Sequence, residues 1–219
     1  KKRELTVTGY AEFTNNSNYE QDQVNLQYSQ YITQTVFRGN RVRQMIHANL
    51  DRLEEGENID NKNVFNRFFG LAGADVNSWC GDKESFLGRY HGYNNPEGVI
   101  TGKLSNKGNY NENSCGALST VLSLAPGETK EITFLVGMKG DAEAGEIVEH
   151  YKNCQDVCKK ELEELIEYWH GQLSHFQIRT QSPEFNTMIN TWNAYNCFMT
   201  FIWSRAASFT YCGLRNGYG

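Results

Sequence analysis

The sequence predicts a chain of two parts, an antiparallel β-sandwich followed by helices. Up to about residue 140 it carries runs rich in Thr, Tyr, Val and Ile with partial alternation, which is typical of half-buried strands. Beyond that point the apolar residues recur at spacings of three and four, which is typical of amphipathic helices. The chain has 219 residues and is 39% hydrophobic, enough for one or two domains with their own cores.

Strand patterns dominate the first part. Leu5 to Phe13 and Val24 to Phe37 alternate only partially, and the second run has apolar residues at both parities, which suits a strand inside a packed sandwich. Cys115 to Leu124, followed by Ile132 to Gly137, is predicted to form a hairpin. Pro126-Gly127 lies between these two runs and supplies typical turn residues.

The second part is predicted to be helical from Asp141, whose side chain we expect to cap the first helix. A stronger helix start is Ser182-Pro183-Glu184, with Ser as the cap and Pro at the first helical position. We expect a long helix over residues 183–210. Because it is apolar around much of its circumference, it should be buried among other helices; its apolar residues are Phe185, Met188, Ile189, Trp192, Tyr195, Met199, Ile202 and Trp203.

Charge and composition exclude several classes of partner. The formal net charge is −5 and no basic face is visible, which argues against a nucleic-acid partner. No apolar run reaches the roughly 18 residues that span a membrane, and no apolar segment follows the charged N-terminus as in a signal peptide. The six cysteines lack framework spacing and favour reduced thiols in a cytoplasmic protein, although an even count also permits three disulfides.

Metal-binding patterns are weak. Cys154 and Cys158 lie four positions apart, but no second pair follows at zinc spacing, so structural cysteines are expected. His170 and His175 do not form a His-Glu-x-x-His motif. The sequence therefore predicts no metal site.

Three aromatic residues, Trp79, His91 and Tyr93, lie in or beside predicted loops. Aromatic rings stack on the faces of pyranose sugars, so these residues are candidates for sugar contacts. Packing in the core or at its rim is the commoner role of such residues and is the alternative.

Two arginines near the C-terminus are the main candidate site residues. Arg205 lies on an apolar helix and is followed by Ala206-Ala207-Ser208, which leaves room for a ligand. An unpaired buried guanidinium is costly, so Arg205 should face an acid or an anion. Arg215 lies in a turn with three glycines, which allow the backbone to approach a ligand. The alternative is that Arg205 pairs with a core carboxylate and Arg215 is a solvated loop residue.

These segments resemble the start of the catalytic barrel in glycoside hydrolase family 94, the inverting phosphorylases of cellobiose, cellodextrins and diacetylchitobiose. Trp203 to Ser208 fits the family's W/N-S-R-x-A-S helix, and Arg215 to Gly219 fits the start of its R-x-G-x-G-[YF]-R-D motif. Leu118 to Gly137, with its Pro-Gly-Glu turn, resembles the end of the family's sandwich. The resemblance is closest over residues 185–219.

The resemblance implies a domain order. Residues 1–140 would form the C-terminal part of an N-terminal β-sandwich domain, residues 141–182 a helical linker, and residues 183–219 the first helix of an (α/α)6 catalytic barrel. Both ends of the chain look cut, since it opens without Met and stops inside a glycine-rich turn. We therefore expect an interior fragment of a longer polypeptide.

The resemblance also implies phosphorolysis of a β-linked glucooligosaccharide to α-glucose 1-phosphate with inversion. Arg205 would bind inorganic phosphate, which is a co-substrate, and Arg215 would bind the transferred sugar; no cofactor is expected. The general-acid Asp would lie beyond Gly219, so the fragment alone would be inactive. A cellodextrin is favoured as the substrate, with cellobiose, laminaribiose and diacetylchitobiose open. The expected partners are the rest of the barrel and a second copy in a homodimer.

Two other functions remain open. A non-catalytic carbohydrate-binding or structural β-sandwich with a helical tail would need no anion site, so the role of Arg205 discriminates between the hypotheses. A hydrolase built on the same barrel would need a second catalytic carboxylate to activate water.

Overall fold

The computed structural model of this protein describes residues 1–13, 33–46 and 66–199. The chain divides into two compact units, Lys1–Val157 and Cys158–Gly219. The second unit is described as far as Met199.

Strands make up most of the first unit. Within the described residues they are β1 (Arg3–Glu12), β2 (Thr33–Arg38), β3 (Arg41–Ile46), β4 (Arg67–Ala72), β5 (Ser78–Asp82), β6 (Ser114–Leu124) and β7 (Thr133–Met138). One sheet has the order β1-β6-β5 and the other β2-β3-β4-β7, with every neighbouring pair antiparallel. The predicted antiparallel β part is therefore confirmed for the described residues.

Helices follow the strands in two places. Two short helices, α1 (Lys83–Leu87) and α2 (Glu97–Ile100), lie between β5 and β6. After β7 come α3 (Asp141–His150), a 3-10 turn (Tyr151–Asn153) and α4 (Cys154–Ser174). The predicted change from strand to helix near residue 140 is confirmed.

The predicted hairpin after Cys115 is wrong. Both of its segments are strands, but β6 pairs with β1 and β5, whereas β7 pairs with β4 in the other sheet. The turn at Pro126-Gly127 does form, closed by a hydrogen bond from the Glu128 amide to the Ala125 carbonyl at 3.1 Å. The whole connection, residues 125–132, is longer than a typical hairpin loop, and it carries the chain from one sheet to the other.

The two sheets pack face to face around a shared apolar cluster. Leu118 of β6 is fully buried and packs with Val42, Phe69 and Leu71 of the opposite sheet. A Cβ atom at Gly116 would overlap the Phe69 side chain, so a glycine here allows the sheets to approach closely. The predicted sandwich is therefore present in the first unit.

The outer face of each sheet is also covered. Phe68 and Ala72 of β4 point away from the sandwich interior and pack on Ala144 and Val148 of α3. Gly70 lies between them in the strand, and a Cβ there would meet Val148 at 2.8 Å. The other sheet packs on α1 and the following loop through Cys80, Cys115, Ala117, Phe86, Leu87 and Leu104.

Asp141 joins α3 to the β2–β3 hairpin. It is the first residue of α3, whose cap is Gly140, so the prediction that Asp141 caps the helix is wrong. Its carboxylate instead lies 3.0 Å from Arg38 Nη1, 2.6 Å from Arg41 Nη2 and 3.2 Å from Arg43 Nε. The Arg43 side chain is fully buried. One carboxylate therefore serves as counterion to three guanidinium groups.

The ionised form of Asp141 is favoured by this arrangement. Partial burial raises the pKa of Asp141, but the hydrogen bonds from Arg41 and Arg38 and the charge of Arg43 outweigh it. The net effect is a pKa below the ordinary value of an aspartate. Ionisation of Asp141 therefore stabilises the folded unit.

We expect Asp141→Asn to lower the free energy of unfolding by about 3–5 kcal/mol, because a buried guanidinium then loses its counterion. Urea unfolding followed by circular dichroism measures this change. The matched control is Asp156→Asn, at an exposed position in the first turn of α4. It should change the free energy of unfolding by less than about 1 kcal/mol.

The difference in unfolding free energy between wild type and Asp141→Asn should depend on pH. The folded pKa of Asp141 is depressed, so its contribution is present above the unfolded carboxyl pKa of about 4 and is lost as the pH falls through the folded value. The stability difference between wild type and Asp141→Asn should therefore shrink below about pH 4. A difference that stays constant from neutral to strongly acidic pH would contradict the ion-pair account.

Candidate functional site

The two predicted site arginines, Arg205 and Arg215, lie outside the described residues. The structure describes the helical segment that precedes them, as far as Met199. This segment and the C-terminal part of α4 belong to the second unit. These helices are therefore the described structure that leads up to the two arginines.

Ser182 caps the predicted helix, as the sequence indicated. Its Oγ accepts a hydrogen bond from the Phe185 amide at 3.2 Å, and Pro183 occupies the first helical position. The helix then runs as α5 (Pro183–Thr187), a π-helical stretch (Met188–Asn193) and α6 (Ala194–Met199). The helix predicted over 183–210 is thus helical through Met199, and the rest of that range lies outside the described residues.

Two asparagines on this helix hold the extended segment before it. Asn190 donates to the Ile178 carbonyl at 2.9 Å and accepts from the Ile178 amide at 2.8 Å. Asn186 makes the equivalent pair with Thr180, at 3.1 and 2.8 Å. Each side-chain amide therefore satisfies both backbone groups of one residue. Sequence reasoning missed this contact, although two asparagines four positions apart on an apolar helix are a visible signal.

Large apolar side chains of the second unit are exposed in the described structure. On α4, Leu162, Leu165 and Ile166 are between 45% and 56% exposed. On the helix after Ser182, the side chains of Phe185, Met188, Trp192, Tyr195 and Phe198 are also exposed. The described residues of this chain leave the helix exposed, so its burial among further helices of a barrel stays a prediction. Large apolar side chains exposed in this number are ones that a folded protein normally covers.

An apolar cavity of about 440 Å³ lies between the end of α4 and the later helix. The Trp169 and Phe198 rings meet edge to face at its wall, 5.1 Å apart. Its lining contains no carboxylate, imidazole or thiol, so it offers packing surface and no acid–base chemistry; the lining residues are Tyr168, Trp169, Gln172, Leu173, Thr191, Ala194, Tyr195 and Phe198.

The three candidate sugar-contact residues have different environments. Trp79 is partly buried and stacks on Phe37, with ring centroids 5.3 Å apart, so it packs between the sheets. His91 is exposed, and its Nδ1 lies 2.9 Å from the Asn95 carbonyl. Tyr93 is 60% exposed. The structure therefore assigns Trp79 to the core and leaves His91 and Tyr93 available to a ligand.

Neither a metal-binding cluster nor a membrane-spanning helix is present among the described residues. No group of three or more His, Cys, Asp or Glu in them is placed to hold a metal ion. None of the described helices is both long enough and apolar enough to cross a membrane. Cys80, Cys115, Cys158 and Cys197 carry free thiols.

The chain matches two family models along most of its length. Residues 1–154 match the family described as "Glycosyl hydrolase 94, supersandwich domain". Residues 168–219 match "Glycosyl hydrolase 94 superfamily, catalytic domain". The second match includes both Arg205 and Arg215.

Several curated proteins that act on carbohydrates are similar in sequence to this chain. An N,N'-diacetylchitobiose phosphorylase of Vibrio proteolyticus is 29% identical over 219 residues, 99% of this chain and 25% of the relative. A cyclic beta-(1,2)-glucan synthase of Rhizobium meliloti (strain 1021) is 26% identical over 67% of this chain and 5% of the relative. A 3-O-beta-D-glucopyranosyl-beta-D-glucuronide phosphorylase of Paenibacillus borealis is 28% identical over 64% of this chain and 18% of the relative. The chain spans about a quarter of the length of the diacetylchitobiose phosphorylase.

We expect Asn190→Ala to release the segment around Ile178, because it removes two hydrogen bonds from one backbone residue. Amide hydrogen exchange measures this, and protection of the Ile178 amide should fall by about ten- to hundredfold. Asn193→Ala, at an exposed position of the same helical run, is the control and should leave that amide unchanged. Equal loss in both variants would mean that the asparagine contact does not hold the segment.

Proposed function

The chain belongs to glycosyl hydrolase family 94, an enzyme family, and on that basis we propose that the polypeptide containing it cleaves a β-linked sugar with inorganic phosphate. The observation that carries the proposal is the catalytic-domain match over residues 168–219, which contains the two predicted site arginines. Phosphorylases among the relatives support phosphate as the attacking group. A purely structural or carbohydrate-binding sandwich would not require this catalytic segment.

The proposed domain organisation is a sandwich over residues 1–140, a helical linker over 141–182, and the first helix of an (α/α)6 barrel over 183–219. The exposed apolar positions of the second unit support this proposal. Side chains such as Trp192 and Phe198 are 56% and 41% exposed and would be covered by further helices of a barrel. The remaining helices would belong to the same longer polypeptide.

Arg205 is the proposed phosphate-binding residue. A guanidinium keeps its charge at every accessible pH and presents two parallel N–H groups that match two phosphate oxygens. Its charge would also stabilise the transition state, as the phosphate oxygen attacks the anomeric carbon. Arg215 is the proposed ligand of the transferred sugar.

The proposed reaction inverts the anomeric configuration in one displacement. A phosphate oxygen forms a bond to C1 of the sugar while the C1–O glycosidic bond breaks, and a general acid donates a proton to the leaving oxygen. Since phosphate is already an anionic nucleophile, no second carboxylate is needed to activate water. The acid is expected beyond Gly219, and no cofactor takes part.

The substrate is proposed as a β-linked disaccharide or short oligosaccharide. The cellodextrin preference predicted from the sequence gains no support from the comparisons, since relatives that match nearly the whole chain are N,N'-diacetylchitobiose phosphorylases. Glucosyl and N-acetylglucosaminyl donors are therefore the two substrate classes that an activity assay must distinguish. The homodimer and the cytoplasmic location stay predictions.

The complete polypeptide should convert a β-1,4-linked glucose or N-acetylglucosamine dimer into the α-sugar 1-phosphate, and only when phosphate is present. Phosphorus and proton NMR identify the product and its anomer. Free monosaccharide as the only product would indicate a hydrolase. Transfer between sugars without phosphate would instead favour a synthase, and the Rhizobium relative is a cyclic beta-(1,2)-glucan synthase.

We expect Arg205→Ala in the complete polypeptide to lower kcat/KM for phosphate by about 30- to 1,000-fold, through a higher KM and a lower kcat. Arg205→Lys should recover only part of the loss, because a point charge cannot reproduce the two parallel hydrogen bonds. Arg215→Ala should reduce turnover with less effect on the KM for phosphate. Arg179→Ala, at an exposed position of the same unit, is the matched control and should behave as wild type.

Thermal unfolding of the same variants separates binding from structure. If Arg205 paired with a core carboxylate, Arg205→Ala would lower stability by about 3–5 kcal/mol and leave the KM for phosphate unchanged in the folded enzyme. That pair of results would remove Arg205 from the phosphate site.

A further inference from the structure

We propose that Tyr93 and the loop around it form a carbohydrate-binding platform on the sandwich unit, which accepts a neutral pyranose residue of an oligosaccharide. The platform consists of the exposed Tyr93 ring and the polar side chains of the 88–96 loop, chiefly His91 and Asn94. The inference goes beyond phosphorolysis; only the choice of β-linked sugars as ligands rests on the proposed function.

The Tyr93 ring is exposed and yet fixed in position. It is 60% exposed, but its hydroxyl donates a hydrogen bond to Glu12 at the end of β1. The Lys83 ammonium lies over the ring, 5.4 Å from its centroid. The Tyr10 ring contacts it at a tilt of 58°, with centroids 6.3 Å apart. A ring held by these contacts loses little freedom when a ligand stacks on its open surface.

The contacts that hold Tyr93 are themselves anchored in the core. Tyr10 stacks on the buried Phe86 ring with centroids 4.4 Å apart, and its hydroxyl donates to Glu12 at 3.0 Å. Lys83 lies 3.1 Å from the same Glu12 carboxylate. Strand β1 and helix α1 thus meet at the base of the platform. The ring position is therefore set by regular elements of the sandwich and not by the loop alone.

Charge at the platform is balanced, which favours a neutral ligand. Partial burial raises the pKa of Glu12, but hydrogen bonds from Tyr93, Lys83 and Tyr10 outweigh it and lower the pKa below the usual range. The pKa of Lys83 is raised by its contacts with Tyr93 and Glu12. Both groups are ionised at neutral pH and form a pair, so neither is left to attract a charged ligand.

Polar residues neighbour Tyr93 in the chain, on a loop with defined internal hydrogen bonds. The Gly92 amide donates to Asn95 Oδ1 at 3.0 Å, and the Asn95 amide donates to the Gly92 carbonyl at 3.0 Å. The His91 Nδ1 lies 2.9 Å from the Asn95 carbonyl, and the His91 side chain is exposed. The Asn94 side chain is exposed. The loop therefore offers an imidazole and an amide on either side of Tyr93 in the sequence.

This combination matches the chemistry of a pyranose better than that of other ligands. A β-linked pyranose presents a face of C–H groups, which stacks on an aromatic ring, and a rim of hydroxyls, which bond to amides and imidazole. A nucleic acid would require a basic surface, and the net charge of the chain is −5. A protein partner of ordinary affinity would require a larger apolar patch than two tyrosines, Tyr90 and Tyr93, provide on this loop.

The test is a titration of the full chain, without phosphate, with β-1,4-linked tetramers of glucose and of N-acetylglucosamine. Amide signals of the 88–96 loop should shift in NMR spectra, with a dissociation constant on the order of 1 mM. Tyr93→Ala should weaken binding by about five- to tenfold. Tyr93→Phe keeps the ring and should bind within about threefold of wild type. Tyr110→Ala, at a tyrosine of the same unit that is 66% exposed, is the matched control and should bind as wild type.

Two results would overturn the proposal. The first is the absence of any shift of the loop signals at about ten times that concentration of either tetramer. The second is a Tyr93→Ala variant that is folded by circular dichroism and binds the tetramers as tightly as wild type. A Tyr93→Ala variant whose sedimentation coefficient differs from that of wild type would also count against the proposal, because it would identify the loop as an interface between copies of this chain. Because no phosphate is present, a failure of phosphorolysis leaves this test unaffected.

Discussion

The single carboxylate of Asp141 is the constraint on which the arrangement of the first unit depends. It neutralises arginines from both strands of the β2–β3 hairpin, including the fully buried Arg43. Its loss would remove an ion pair from a buried guanidinium, which is far costlier than the loss of an exposed ion pair. Because Asp141 is also the first residue of α3, the same contact fixes where the helix starts over the sheet. The packing of Val148 against Gly70 follows from that position.

Local patterns were predictable from the sequence, whereas contacts between distant segments were not. The Ser182 cap, the strand at Leu5 and the change of period near residue 140 depend on neighbouring residues, and each was predicted correctly. The pairing of β6 and β7 with different sheets depends on residues far apart in the chain, and Pro126-Gly127 carries no information about it. For the same reason, Asp141 matched the pattern of a helix cap while its carboxylate binds arginines from a hairpin about 100 positions earlier.

In the second unit, too, the sequence predicted local features but not the contacts between distant residues. Arg205 and Arg215 are predicted site residues because residues beside them match a family motif, and the catalytic-domain match covers both positions. The apolar pattern after Ser182 predicted burial, and only the family resemblance indicated that the rest of a barrel would cover the helix, which the described residues leave exposed. The Asn190 contact and the fixed ring of Tyr93 depend on partners 12 and 81 positions away. The spacing of Asn186 and Asn190 could mark a contact, but no periodicity in the sequence identifies the partner residues.

The central claim is that phosphate, and not water, attacks the sugar in the complete polypeptide. The most direct measurement supplies phosphate carrying ¹⁸O at all four oxygens in ordinary water and follows the product by phosphorus NMR and mass spectrometry. The account predicts α-sugar 1-phosphate that keeps all four labelled oxygens, because the new bond joins a phosphate oxygen to C1 and no P–O bond breaks. Free sugar as the only product, with the labelled phosphate unconsumed, would contradict it.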